Sequence, residues 1–360
     1  MAAVAYHPHP PPAPTSPPHM HHSEVDQRPP SPTSSTSTVT SSRTPDFFRQ
    51  LHDRQLNCMN TTYMLPADDQ EMKRMELEHR MMKFIMGGKN YVGPVAEALT
   101  KVRGVQRRVL DCGTGNGLWA IEMADEFDWV EVTGVDLAPV QPSFELFDLD
   151  GQRLPYPDDW FDVVHARSVY IGVRHYSIFL RELARVLRPG GVAIFAEADS
   201  TPFGDKKSRI QPGSRGGAPG WTEYWEQARQ AFGQLGIDVS IPGRLRSCVR
   251  ETREFESIVA QEALVPIGFW PKDPVVLSIG QLAWMNYDNL LLALRPLLLD
   301  HGISPEKVAK LIEEAQNDLY HPKVCIRIRV PNLAVNDVDV PIMQVQPFCC
   351  WHIVHARKAR

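Results

Sequence analysis

Val109-Leu110-Asp111-Cys112 runs directly into Gly113-Thr114-Gly115-Asn116-Gly117, and an apolar helix-forming stretch follows at once. Few folds accommodate a buried strand, a glycine turn and a helix in immediate succession. The aliphatic residues before the turn suit a strand covered on both faces. The glycines let backbone pass close to a ligand without side-chain interference. The helix start beyond them offers unpaired N–H groups to an anion. The dinucleotide fingerprint needs glycines spaced G-x-G-x-x-G. Here they stand at 113, 115 and 117, and Leu118 occupies the place of the third, so a nicotinamide cofactor does not fit the pattern.

Strands and helices alternate through this region. Arg108–Asp111, Val130–Asp136, Phe144–Asp148 and Phe161–His165 read as strands, with helices over Asn116–Glu126 and Tyr176–Leu187. A fifth strand, Val192–Ala196, follows the turn Pro189-Gly190-Gly191. Such alternation predicts a parallel sheet with helices on both faces. Ahead of it, residues 68–86 predict a helix capped by Asp68 or Asp69, striped by Met72, Met75, Met82 and Ile85, and stopped by Gly87-Gly88. A second helix is expected over 93–103. Downstream, Lys206–Gly220 reads as a mobile loop, Trp221–Leu235 as a helix and Ile258–Val265 as a strand. Val276–Leu299 reads as a long helix with a break at Pro296, and another helix opens at Ser304-Pro305-Glu306. Residues 321–347 look irregular, and Phe348–Arg357 forms a last strand.

Three more segments carry chemistry. Asp136 closes the second strand, where a carboxylate can accept from both hydroxyls of a ribose. After the third strand come Asp148-Leu149-Asp150, an acidic stretch able to receive an adenine amino group; one of the two carboxylates suffices, and Asp148 is preferred. His165-Ala166-Arg167 follows the fourth strand, with strand-end packing or a hydrogen bond the leading role for His165 ahead of acid–base work. Together with Leu154-Pro155-Tyr156-Pro157-Asp158…Phe161-Asp162-Val163-Val164 and Leu187-Arg188-Pro189-Gly190-Gly191, these residues resemble the class I S-adenosylmethionine (AdoMet) methyltransferase pattern over roughly 105–200. Tyr63-Met64-Leu65-Pro66-Ala67-Asp68-Asp69-Gln70-Glu71, followed by Arg74 and His79, resembles the leader of fungal LaeA-like methyltransferases. Gly134–Pro142 and the C-terminal His352–Lys358 share that likeness.

The resemblance implies a Rossmann-like class I methyltransferase fold: α/β, a seven-stranded, mostly parallel sheet with flanking helices and a helical cap insertion. It implies AdoMet as cofactor, touched by Asp111, Gly113, Thr114, Gly115, Gly117, Asp136, Leu137, Asp148, Leu149, Asp150, His165 and Arg167. The family offers two roles. One is a tailoring enzyme acting on a small molecule of secondary metabolism. The other is a nuclear regulator working with a velvet-type protein partner. No catalytic residue is nominated, because direct methyl displacement needs a base only when the acceptor must lose a proton.

The expected organisation is a Pro/Ser/Thr/His-rich tail over 1–45, an N-terminal helical segment over 46–104, the AdoMet core over 105–200, a cap and substrate region over 201–345, and a terminal strand over 346–360. Pro, Ser, Thr and His fill 29 of the first 44 positions, too little apolar surface to offset ordering entropy. A net charge of −5 gives no basic field for nucleic acid. No run is apolar enough to span a bilayer, and the start lacks the apolar core of a secretory signal. Six cysteines without a C-x-x-C pair read as free thiols of a reducing compartment, so cytoplasm or nucleus is expected. No His/Cys/carboxylate cluster has metal spacing. Tyr63, Tyr91, Trp119 and Tyr170 are candidate walls for cofactor or acceptor. Trp221, Trp225, Trp270 and Trp284 point to an apolar cap from 220–300.

Overall fold

The computed structural model describes residues 47–139, 144–204, 210, 218–320 and 347–360. The expected tail, most of the 206–220 loop and the irregular stretch 321–346 lie outside the described residues. Chain order begins with a hairpin, β1 (Phe48–Leu51) and β2 (Arg54–Asn57). Its two-residue turn places His52 at φ 48° and Asp53 at φ 64°, the doubly left-handed geometry that matches strand twist. The sequence reading had no element there.

Helix α1 (Asp69–Ile85) follows, and Asp68 is its cap, accepting from the Glu71 N–H at 3.1 Å. Helix α2 (Val95–Ala98) is far shorter than the expected 93–103. Val102 bridges back to Val105 through Gly104 at φ +79°, a turn that helix geometry cannot contain. The core elements are β3 (Arg107–Cys112), α3 (Leu118–Glu126), β4 (Val130–Asp136), β5 (Glu145–Leu146), β6 (Phe161–Arg167), α4 (Tyr176–Val186) and β7 (Leu187–Phe203). Then come α5 (Pro219–Gln234), α6 (Ile241–Glu251), β8 (Phe255–Pro266), α7 (Pro274–Ala293), α8 (Arg295–Asp300), α9 (Pro305–Tyr320) and β9 (Phe348–Lys358).

Seven strands form one sheet in the order β5-β4-β3-β6-β7-β9-β8. The first five are parallel; β9 runs antiparallel to both β7 and β8. This is the expected α/β, mostly parallel architecture. Leu187–Gly191, expected as a turn, opens β7 instead, and the pairing with β6 shifts register between Phe161 and Val163. The break expected at Pro296 falls two residues earlier, between α7 and α8, so that Pro296 sits in the first turn of α8, where its missing N–H costs nothing. Helix α6 was unforeseen, although Pro242 in its first turn is a legible start signal.

All six residues of β3 are buried. The chain leaves β3 for β4 on one side and returns to β6 on the other, so strand order reverses there. Open α/β sheets bind ligands in the crevice beyond the strand C-termini at such a reversal. Among the described residues no helix is long and apolar enough to cross a membrane.

Candidate functional site

A cleft enclosing about 870 Å3 of empty space, open at its mouth, lies at that crevice. The β3–α3 turn makes one wall. Gly113 has φ +69°, and a Cβ on it would stand 2.6 Å from Val169 Cγ1; Gly115 has φ +54°, with Met75 Sδ 2.9 Å from where its Cβ would be. Gly113 therefore requires glycine by dihedral and by its crowding against Val169, while Gly115 requires it by dihedral, the flexible Met75 thioether being able to swing aside. Gly117 adopts φ +79° as the residue before α3 and does not line the cleft.

Asp111 lines the cleft floor but is engaged by protein. His165 donates from Nδ1 to its Oδ1 at 2.7 Å, and Thr114 Oγ1 donates to its Oδ2 at 2.7 Å. His165 stacks flat on Trp119, centroids 3.8 Å apart, and Trp119 donates from Nε1 to the Asn90 carbonyl at 2.7 Å. Burial lowers the His165 pKa against the opposing pull of Asp111, which favours the neutral ring. His165 lies within β6 and serves as a packed, oriented floor.

Asp136, at the end of β4, accepts from the Gly115 N–H at 2.8 Å and from Ala138 at 3.2 Å. Burial raises its pKa, against those backbone donors. Leu137 and Leu149 line the cleft beside it. Asp148 lines it too, held by Asn60 Nδ2 at 3.1 Å. Asp150, the other expected carboxylate, turns away: Arg174 donates from Nε to its Oδ2 at 2.6 Å and from its backbone N–H to Oδ1 at 2.9 Å. Of the two expected carboxylates, the structure brings Asp148 into the cleft and leaves Asp150 outside its lining.

Arg167 also faces the cleft. Its Nη2 lies 3.4 Å from His79 Nδ1, and its buried Nη1 has no hydrogen-bond partner. Such an orphaned guanidinium nitrogen is costly unless a ligand meets it.

The sequence reading did not assign the far wall. Arg74 lies between Glu71 and Glu78, donating from Nε to Glu71 Oε1 at 2.9 Å and from Nη1 to Glu78 Oε2 at 2.8 Å. Nη1 also donates to Asn286 Oδ1 of α7 at 2.8 Å. Ser168 Oγ donates to Glu78 Oε1 at 2.8 Å from a backbone at φ +58°, a conformation that costs a serine roughly 1–2 kcal/mol. Arg74 had been noticed only within a leader motif, with no place in space.

Leu65, Arg74, Glu78 and Ser168 line a second chamber as well, of about 530 Å3. The two abut at those residues. Trp225 and Phe232 of α5, Tyr287 and Leu290 of α7, and Tyr170 supply its walls. Of the four expected cap tryptophans, Trp225 alone lines it. Trp221 braces Trp225 edge-on at 5.5 Å, Trp284 packs on Phe269 and Tyr320, and Trp270 on Phe348. Tyr63 lines the first cleft, whereas Tyr91 bonds Glu126 away from both.

Beneath Val169 and Tyr170, fully buried Glu197 accepts from the Val169 N–H at 3.3 Å and from the Tyr176 hydroxyl at 3.0 Å. Burial pushes its pKa up to about 8, against those two donors. The folded state thus holds a proton that the unfolded chain loses near pH 4.5, and relative stability falls as pH rises between those values. Glu197→Gln keeps the shape and removes the linkage. Its melting temperature should match the parent near pH 4.5 and exceed it at pH 8, by on the order of 4 kcal/mol in unfolding free energy. Paired thermal melts at the two pH values check this; an equal offset at both would refute it.

A family model described as a methyltransferase domain matches residues 51–240. The chain is 31% identical over 273 residues to the secondary metabolism regulator laeA of Coprinopsis cinerea, covering 73% of this chain and 67% of that protein. It is 26% identical over 317 residues to methyltransferase pytC of Aspergillus terreus, covering 82% and 92%. To the protein-methionine methyltransferase laeA of Emericella nidulans it is 29% identical over 277 residues, covering 73% and 69%.

Proposed function

We propose, from the premise that this chain belongs to the methyltransferase-domain family, that its cleft binds AdoMet and that the methyl group passes to a small molecule in the adjoining chamber. The observation that carries the reading is convergence: the glycine turn, Asp136 and Asp148 come from the ends of three neighbouring strands into one cleft.

The residues present fit the cofactor. Gly113 and Gly115 leave room for close backbone approach, and the α3 N-terminus favours a carboxylate. Arg167 Nη1 is a buried donor awaiting an anionic partner. Asp136 is placed to accept from ribose hydroxyls, and Asp148 with the Leu149 backbone to meet adenine. Asp111 works indirectly, by fixing Thr114 and His165. When bound, AdoMet supplies a methyl already activated on a sulfonium, so the protein's part is to position, to exclude water and to shape the field.

Calorimetric titration tests this. The parent should bind AdoMet, and Asp136→Asn should bind at least tenfold more weakly, since a charge-assisted hydrogen bond becomes a neutral one. A folded parent that shows no binding removes the reading.

The relatives named as secondary metabolism regulators favour a second reading. In it the chain binds AdoMet but acts in the nucleus through a velvet-type partner. That reading expects cofactor binding without turnover of small acceptors, and co-purification with the partner.

A further inference from the structure

The second chamber differs in chemistry from the first. Trp225, Phe232, Tyr287 and Leu290 give it flat aromatic and aliphatic walls. Among the described residues that line it, Arg74 is the one cation, and its guanidinium is taken up by Glu71, Glu78 and Asn286. Two carboxylates, Glu78 and Asp199, line it with Arg74. Asp199 accepts from the Thr201 N–H at 2.8 Å and has Arg229 and His352 nitrogens at 3.9 Å. Behind the wall Arg229 is engaged by Ser200 and Thr201 at 3.1 and 3.0 Å, so among the described lining residues no unengaged cation faces an anionic guest, while Glu78 stands where the two chambers meet.

Glu78 is held in place from two sides. Ser168 and Arg74 each bond one of its oxygens, and a carboxylate oxygen has capacity for a further donor. Burial works to raise its pKa, but the Arg74 and Arg167 guanidiniums outweigh this and keep it below the usual glutamate value. At neutral pH it is an acceptor only.

Resting on the reading of the first cleft as the AdoMet site, we propose that the second chamber takes a neutral, ring-bearing acceptor whose O–H or N–H donates to Glu78. Glu78 thereby orients the nucleophilic atom toward the first cleft, and aromatic carboxylates and donor-free thioethers are disfavoured. The walls select a flat body, and the charge balance selects a neutral or donor-bearing head. An apolar ring gains from burial in such a pocket, whereas a carboxylate would enter beside fixed negative charge without a free partner.

The test is binding to protein saturated with S-adenosylhomocysteine, followed by calorimetry with three probes: 2-naphthol, 2-naphthoate and 2-(methylthio)naphthalene. The parent should bind 2-naphthol at least tenfold more tightly than either comparator. Trp225→Ala should lose 2-naphthol binding. Glu78→Gln, compared with the parent at saturating S-adenosylhomocysteine, should lose most of its preference for the naphthol over both comparators, a change that mere loosening of the fold would not produce. Tighter binding of the naphthoate or the thioether, or unchanged preference in Glu78→Gln, overturns the inference. So does the absence of naphthol binding in protein that binds S-adenosylhomocysteine, and the cofactor reading then stands alone. Protein that binds neither defeats the cofactor reading itself.

Discussion

Gly113→Val should lower AdoMet affinity by 100-fold or more, equivalent to about 2.7 kcal/mol. Two physical effects add. The position needs φ +69°, which a β-branched residue resists most strongly. A Cβ there would also stand 2.6 Å from Cγ1 of the buried Val169, closer than carbon atoms approach, so either Val169 or the turn must give way. The displaced segment carries the Thr114 N–H, bonded to the Val135 carbonyl, and Thr114 Oγ1, bonded to Asp111, so movement spreads to both neighbouring strands. Backbone strain alone also destabilises the fold, and a control separates that from binding. Gly104→Val imposes the same kind of dihedral strain at φ +79°, in a loop with nothing within 4 Å of its Cβ and outside the cleft. It should lower the melting temperature while leaving AdoMet affinity unchanged. Equal affinity losses in both variants would show that the Gly113 effect is global rather than local.

The parts of this architecture visible from sequence are those written locally. The β3–α3 turn is five consecutive residues, Gly113–Gly117, and the β4 bounds, Val130–Asp136, follow from valines alternating with polar or small residues and ended by a carboxylate. The far wall of the cleft is another matter. Arg74 and Asn286 lie 212 residues apart, and Glu78 and Ser168 lie 90 apart. Their meeting depends on how α1 packs against α7 and the end of β6, which no local spacing encodes. His165 and Asp111 were each singled out, but their pairing required β3 and β6 to lie side by side. The choice between Asp148 and Asp150 turned on partners elsewhere: Asn60 draws one inward, and Arg174 draws the other away. The β1–β2 hairpin was hidden because its turn, His52-Asp53, lacks the glycine that usually announces left-handed geometry.

Arg74→Met should cost about 3–5 kcal/mol of unfolding free energy, because it strands two carboxylates rather than because it deletes a favourable pair. The Glu71 side chain has no exposure and Glu78 has 12%, so neither can recover its hydration. Burial already raises the Glu71 pKa even with Arg74 opposing it; without Arg74, Glu71 has no cation to hold its charge, and Glu78 keeps only Arg167 and Ser168 against its burial. Groups whose folded pKa is raised stabilise below their unfolded value and lose that contribution as pH rises. The deficit of the variant relative to the parent should therefore shrink as pH falls from 7 toward 4.5. Methionine fills the space of the arginine stem, which keeps cavity formation a minor term. Urea unfolding at pH 7 and pH 5 measures both the loss and its pH dependence. The decisive variant is Arg74→Met combined with Glu71→Gln and Glu78→Gln. If stranded charge is the cause, the triple variant should regain most of the lost stability while remaining unable to prefer a donor-bearing guest in the second chamber. If the loss instead comes from the broken link between α1 and Asn286 of α7, neutralising the carboxylates will recover nothing, and the ion cluster will have acted as a tie between helices rather than as a balance of buried charge.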